Sequence, residues 1–238
     1  MRIIARLDVK QNNLIKSVMF DGVRKVGNPY SFADSYYNSE INELMIVNIT
    51  GSLYGTQLES KTIEQIRKNK AIPISAGGGV DCLEDVKRII SNGADKVVIN
   101  SLIHKNYKEV EKIVNFLGSA SVVGVIEVEK RNNKYFSLFE MARQSSGLGL
   151  EETIEKYINV GIGEIVLVDV SRDGCYKGLN EEFIDIAVKY KNKAPILIGG
   201  GLNDLKELKK FKNYFSGIVI SSVFHYKKFD LNELSKYI

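Results

Sequence analysis

Tryptophan is absent from this chain, and cysteine, histidine and proline are scarce, at two, two and three residues. Two cysteines, Cys82 and Cys175, cannot build a disulfide scaffold. There is no C-x-x-C pair, and His104 and His225 have no third ligand at suitable spacing. Neither a metal nor a cofactor is expected. Cys175 has no histidine beside it and reads as non-nucleophilic. With little proline and no Ser/Gly-rich tract there is no linker, so residues 1–238 are expected to form one domain. No apolar run nears the roughly 18 residues of a membrane span. The opening MRIIARLDVK is too regularly charged for a signal peptide, and a cytoplasmic protein is expected. An excess of one charge is missing too: 33 basic against 29 acidic residues leave +4. That argues against nucleic acid as a partner, while an anionic small substrate suits it.

What is present is alternation. Near-continuous apolar runs at Ile3–Val9, Glu43–Thr50, Ile72–Ala76, Lys96–Asn100, Ser121–Glu127, Glu164–Val170, Pro195–Ile198 and Gly217–Ser221 read as strands covered on both faces. Between them, Leu58–Asn69, Leu83–Asn92, Asn106–Leu117, Leu150–Asn159, Glu181–Lys191 and Leu205–Phe211 carry apolar residues at helical steps. Asn92-Gly93 and Val160-Gly161 look like helix stops. Eight β/α units in one α/β chain of this length predict a (β/α)8 TIM barrel. The halves also correspond. Ser75–Gly79 and Ala94–Ser101 match Ile198–Gly201 and Gly217–Ser222, Asn42–Leu44 matches Gly163–Ile165, and Arg6–Val9 matches Val125–Val128. The common offset is 119 to 122 residues, which predicts an internal two-fold duplication of half-barrels.

In such a barrel, chemistry sits at the C-terminal strand ends. Asp8 ends the first strand and Glu127 the fifth, on opposite sides of the mouth. Either alone reads as a solvated strand-end charge. As a symmetry-related pair they read as general acid and base. Gly77–Gly79 and Gly199–Gly201 end strands three and seven, each ahead of a helix that Asp81 or Asn203 would cap. One such triplet is no more than a tight turn. Two of them, with Asn100-Ser101 and Ser221-Ser222 alongside, predict two phosphate sites. Arg172-Asp173-Gly174 is expected to form a turn that brings the Gly174 amide to the second site. At the opposite strand ends stand Arg2, Glu43, Lys96 and Glu164, charges that must pair to be buried. On residue chemistry alone they read as a salt-bridge plug rather than a gate.

The stretches Arg2–Lys10 (RIIARLDVK), Phe20–Pro29 (FDGVRKVGNP), Gly77–Gly79, Gly93–Ser101 (GADKVVINS), Gly163–Gly174 (GEIVLVDVSRDG) and Ser222–His225 (SVFH) together resemble the cyclase subunit of imidazole glycerol phosphate synthase, from histidine biosynthesis. The resemblance implies a barrel that takes ammonia through its core from a separate glutaminase subunit. With that ammonia it splits and cyclises a bis-phosphorylated phosphoribulosyl-formimino aminoimidazole carboxamide ribonucleotide. It also implies roles. Asp8 and Glu127 are catalytic, and Lys16 belongs to the first active-site loop. Gly79, Asn100 and Ser101 bind one phosphate, and Asp173, Gly174, Gly201 and Ser222 the other. Arg2, Glu43, Lys96 and Glu164 become an ammonia gate, and Asp95 supports the docked glutaminase.

The chain departs from that family pattern. Glu127 stands for aspartate, Arg6 for a small residue, Val168 for a hydroxyl residue and Asn48 for aspartate, and residues 132–146 lack a Gly-rich loop. Gly51–Gly55 (GSLYG) resembles a variant in cyclase-like proteins of surface-polysaccharide clusters. Two alternatives follow: a paralogue delivering ammonia for acetamidino-sugar formation, and a non-catalytic barrel that binds and activates a glutaminase. Strand alternation puts Arg6 on the interior face with Asp8. Its guanidinium is therefore expected to hold a mouth carboxylate and make it a poorer base, with Glu127 long enough to cross toward it.

Overall fold

The computed structural model describes residues 1–68 and 70–237. Twelve strands run β1 (Arg2–Lys10), β2 (Asn13–Val18), β3 (Asp21–Gly27), β4 (Glu43–Asn48), β5 (Ile74–Gly77), β6 (Lys96–Ile99), β7 (Val122–Arg131), β8 (Lys134–Phe139), β9 (Gln144–Gly149), β10 (Glu164–Asp169), β11 (Ile196–Gly199) and β12 (Gly217–Ile220). Eight of them, β1, β4, β5, β6, β7, β10, β11 and β12, pair in parallel in that cyclic order. The ring closes through β12 on β1, with Ile3 beside Ile218, and β10 on β7, with Val168 beside Glu127. This is the expected (β/α)8 TIM barrel, and its strands are the eight apolar runs with ends shifted by a few residues.

Strand alternation sorts the side chains into two layers. From β1, Ile3, Ala5 and Leu7 pack outward in a large cluster that includes the helix residues Ile63, Val86, Ile113, Ile154 and Phe183. Ile4 points inward with Met45, Val98, Val123, Val166, Leu197 and Val219. Arg6 and Asp8, in the same phase as Ile4, are buried inside the barrel.

The described helices are α1 (Pro29–Tyr37), α2 (Gly51–Tyr54), α3 (Ser60–Arg67), α4 (Leu83–Ser91), α5 (Leu102–Lys105), α6 (Tyr107–Leu117), α7 (Leu150–Asn159), α8 (Phe183–Tyr190), α9 (Lys206–Phe211) and α10 (Ser222–His225). The six expected helices are there, shortened at most ends. The helix predicted over Leu58–Asn69 is observed over Ser60–Arg67, and its predicted end, Asn69, lies outside the described residues. Gly93 and Gly161, at φ +107° and +89°, stop α4 and α7 as read. The capping expectation is corrected. Asp85, inside the first turn of α4, accepts from the Asp81 and Cys82 amides at 3.0 and 3.3 Å, and Glu207 does the same for Asn203 and Asp204 ahead of α9. An acidic residue reaching back from the first turn takes these amides, and at α9 the Asp204 carboxylate also accepts from the Lys206 amide at 2.9 Å.

Two hairpins were not expected. β2–β3 follows β1, and β8–β9 follows β7, at equivalent places in the two halves. Their tips bring Phe20 and Met141 into the barrel's inner cluster. Arg143 of one hairpin turn pairs with Asp21 of the other at 2.7 Å. Both tips hold non-glycine residues at positive φ: Met19 and Phe20 in one, Glu140, Met141 and Ala142 in the other. Such backbone costs about 1–3 kcal/mol per residue and persists only where surrounding contacts enforce it.

Candidate active site

Asp8 lies at the mouth end of β1, fully buried. Its Oδ1 accepts from Arg6 Nε at 2.7 Å, and its Oδ2 accepts from Lys16 Nζ at 3.5 Å. Lys16 comes from hairpin strand β2 and donates to Asp173 Oδ2 at 2.7 Å. Burial would raise the Asp8 pKa, but Arg6 and then Lys16 reverse this and hold the carboxyl below its ordinary range. Burial likewise opposes the Lys16 charge. Asp173 and Asp8 outweigh it and keep the ammonium protonated.

Glu127 faces Asp8 from β7, four strands away in either direction round the ring. Its Oε2 accepts from the Ala142 amide at 2.7 Å. Burial pushes its pKa up to about 7, against the pull of that amide and of Arg6. The Arg6 expectation is therefore half right. The guanidinium does hold a mouth carboxylate, and that carboxylate is Asp8. Glu127 makes no hydrogen bond to Arg6, and its Oε2 is held instead by the Ala142 amide in the left-handed turn of the β8–β9 hairpin. The two carboxyl groups end up with opposite shifts, one ionised and one titrating near neutrality, as an acid and base pair requires.

Two pockets open on either side of this pair, where the two anion sites are expected. One pocket is lined by Asn48, Ser52, Gly79, Asn100, Ser101 and Glu127. The other is lined by Asp173, Gly174, Gly200, Gly201, Ser221 and Ser222. The glycines alone do not prove a ligand. A Cβ on Gly78 would stand 2.2 Å from the Asn48 oxygen, and one on Gly79 2.1 Å from the Thr56 oxygen, so the turn itself demands glycine. Free donors point further. Among the described residues, the amides of Gly79, Gly174 and Gly201 donate to no protein acceptor. Ser222 Oγ is buried without a partner. Asn100 and Ser101 are partly engaged, with Asn100 Nδ2 on the Val125 oxygen at 3.0 Å and Ser101 Oγ on Asn100 Oδ1 at 3.1 Å. The Asp173 carboxylate is taken by Lys16, so its part in the second pocket is to shape the turn. That turn forms as read, with the Arg172 and Asp173 amides on the Asp169 oxygen.

At the barrel floor the four predicted charges close a ring. Arg2 donates to Glu43 at 3.0 Å and to Glu164 at 2.7 Å, and Lys96 donates to each at 3.1 Å. Asp95 sits on the adjacent rim, half-exposed, accepting from the Ile74 amide at 2.7 Å and paired with Arg67. Neither histidine hydrogen-bonds to the mouth carboxylates, although His225 lies close enough to Asp8, Lys16 and Arg6 to feel their charges. Burial pushes His225 down to about 3, and its Nδ1 meets the Tyr36 hydroxyl at 2.5 Å. His104, pushed to about 4 by burial, stacks on Phe139. Among the described residues no group of three or more His, Cys, Asp or Glu side chains could hold a metal ion, and no helix is long and apolar enough to cross a membrane.

Residue reasoning missed the Ala142 amide, the pocket positions of Met141 and Tyr176, and the reach of Arg6 into both pockets. The doubled offset held a usable signal for the hairpins, since residues 134–149 lie about half a chain beyond residues 13–27.

Comparison with known proteins agrees with this geometry. The family described as "Histidine biosynthesis protein" matches residues 2–230. The chain is 31% identical over 241 residues to imidazole glycerol phosphate synthase subunit HisF of Natranaerobius thermophilus, covering 100% of this chain and 95% of the relative. It is 34% identical over 207 residues to the subunit of the same name from Legionella pneumophila, covering 87% and 97%. Against that of Clostridium botulinum it is 31% identical over 242 residues, covering 100% and 95%. With a closed eight-stranded barrel, opposed mouth carboxylates and a match running almost end to end, the chain belongs to the histidine biosynthesis protein family.

Proposed function

We propose that this protein is the cyclase subunit of an imidazole glycerol phosphate synthase. It takes ammonia from a separate glutaminase subunit and converts the bis-phosphorylated phosphoribulosyl-formimino aminoimidazole carboxamide ribonucleotide to imidazole glycerol phosphate and an aminoimidazole carboxamide ribotide. The observation that carries this reading is the mouth itself, with two opposed carboxyl groups of split pKa between two pockets with free amide donors. A ligand phosphorylated at both ends would place one end in each pocket and its reacting centre between Asp8 and Glu127.

Glu127, near neutrality, accepts and returns protons. Asp8, held ionised, stabilises positive charge that develops as ammonia adds. Lys16 ties the first hairpin across the mouth through Asp8 and Asp173, which excludes water from the reacting centre. The charged ring stands at the far end of the barrel, where ammonia from a docked glutaminase would enter, with Asp95 on the docking rim. The same four residues thus serve as a gate in this reading. The acetamidino-sugar and non-catalytic readings find no support in the relatives' names.

Turnover of that substrate with ammonium salt tests the proposal. Activity is expected in the isolated chain, and Asp8→Asn or Glu127→Gln should each reduce kcat by about 10²- to 10⁴-fold. Absence of turnover with both hairpins ordered would overturn it. For the partner, titration with the glutaminase should give a one-to-one complex at micromolar concentration, weakened by Asp95→Ala.

A further inference from the structure

Arg6 has an unusual position. It is the one described residue that lines both mouth pockets. It is buried on the inner face of β1, and its Nε is engaged by Asp8 at 2.7 Å. Its two terminal nitrogens have no hydrogen-bond partner among the described residues. A guanidinium keeps its charge at every pH the protein survives, and it carries five N–H donors in a rigid fork. Here only the Nε donor is used, and the side chain borders both pockets. Holding Asp8 ionised would need only a point charge. A planar fork whose outer edge reaches into two separate pockets is suited to something larger.

We infer that Arg6 is a ligand-binding residue that donates its terminal N–H groups to an electron-rich acceptor at the middle of a ligand whose anionic ends occupy the two pockets. The inference rests on the reading of those pockets as the ends of one bis-phosphate site, and it adds to that reading the chemistry of the centre. The middle of the ligand carries an oxygen acceptor, a carbonyl, carboxamide or hydroxyl oxygen, within reach of Asp8 on one side and Glu127 on the other. A bis-phosphate with a plain hydrocarbon linker would leave the Arg6 fork buried and unpaired, so Arg6 selects against it.

Calorimetric titration without ammonia, so that no turnover occurs, tests this. The probes are inorganic phosphate and the bis-phosphorylated substrate proposed above, on wild type, Arg6→Met and Arg6→Lys. The wild type should bind the bis-phosphate far more tightly than phosphate. Arg6→Met, of similar shape but without donors, should lose about tenfold or more in bis-phosphate affinity, while phosphate affinity changes by less than about threefold, since a charge-assisted pair at the centre touches only the spanning ligand. Arg6→Lys keeps the charge beside Asp8 and loses the fork, so its bis-phosphate affinity should lie between the two. If Arg6→Met fails to fold, Arg6→Lys carries the test. Unchanged bis-phosphate affinity in the variants overturns the role of Arg6 and leaves the bis-phosphate site standing. Equal losses for phosphate and bis-phosphate also overturn it, since Arg6 would then act through the fold. If phosphate fills both pockets but the wild type does not bind the bis-phosphate, the substrate reading falls and this inference falls with it.

Discussion

Glu127 and Asp8 have opposite linkage between protonation and stability. The Glu127 carboxyl titrates near 7 in the folded protein against 4.5 in an exposed chain. Between those values the native state holds a proton that the unfolded state has released, so stability falls as pH rises through the window. Glu127→Gln removes that dependence. The stability difference between variant and wild type should change by on the order of 3 kcal/mol between pH 4 and pH 8 in denaturant titrations. A difference that does not vary with pH would refute the shift. Asp8 behaves inversely. Its depressed pKa contributes stability that is present above the ordinary carboxylate range and lost as pH falls below it. Asp8→Asn leaves the buried Arg6 without its counter-charge and should cost about 3–5 kcal/mol at neutral pH. In turnover, the Glu127 carboxyl should set a limb of the pH profile of kcat/KM near neutrality, absent in Glu127→Gln.

At the scale of elements, turns divide into those that need glycine and those that tolerate a side chain. Gly78 sits at φ +99° with backbone 2.2 Å from where a Cβ would be, so Gly78→Ala must displace β4 and should cost more than about 2 kcal/mol. Gly22, the second residue of β3, has φ +60° and open space, so Gly22→Ala should cost about 1 kcal/mol. Thermal melts of the two variants separate them.

Legibility in the sequence follows a related division. The barrel strands were readable because both faces are covered, which leaves uninterrupted apolar runs. Strand β3 was not, since most of its residues are exposed and it presents no apolar face to a pattern. Strand β2 buries Lys16 and Ser17, which hydropathy assigns to the surface. Helix α1, PYSFADSYY, is built from weak helix formers, and only the Asn28-Pro29 start, with Asn28 accepting from the Tyr30 and Ser31 amides, announces it. Within the site, Asp8 and Glu127 were legible because the duplication repeats their place. The Ala142 donor was not, since a backbone amide has no residue signature and its position depends on a turn at positive φ.

At the scale of the molecule, the barrel separates two charged ends with an apolar interior between them. The mouth holds Arg6, Asp8, Lys16, Glu127 and Asp173, and the floor holds the Arg2–Glu43–Lys96–Glu164 ring. Each floor carboxylate contacts both cations, so no charge can move without breaking two bonds. That suits a plug, and it equally suits a gate that opens when a docked partner offers replacement contacts. Stability cannot discriminate these roles, since Lys96→Met should destabilise either by about 2 kcal/mol, less than a fully buried pair because Arg2 is one-third exposed. The route of ammonia does discriminate them. Under the proposed function, ammonium salt supplies ammonia to the mouth from bulk solvent, whereas a glutaminase docked at the floor would send it past Lys96. Lys96→Met should therefore leave ammonium-dependent turnover close to wild type and alter glutamine-dependent turnover by about tenfold or more, about 1.4 kcal/mol of barrier. Equal effects on both routes would assign the ring to structure alone.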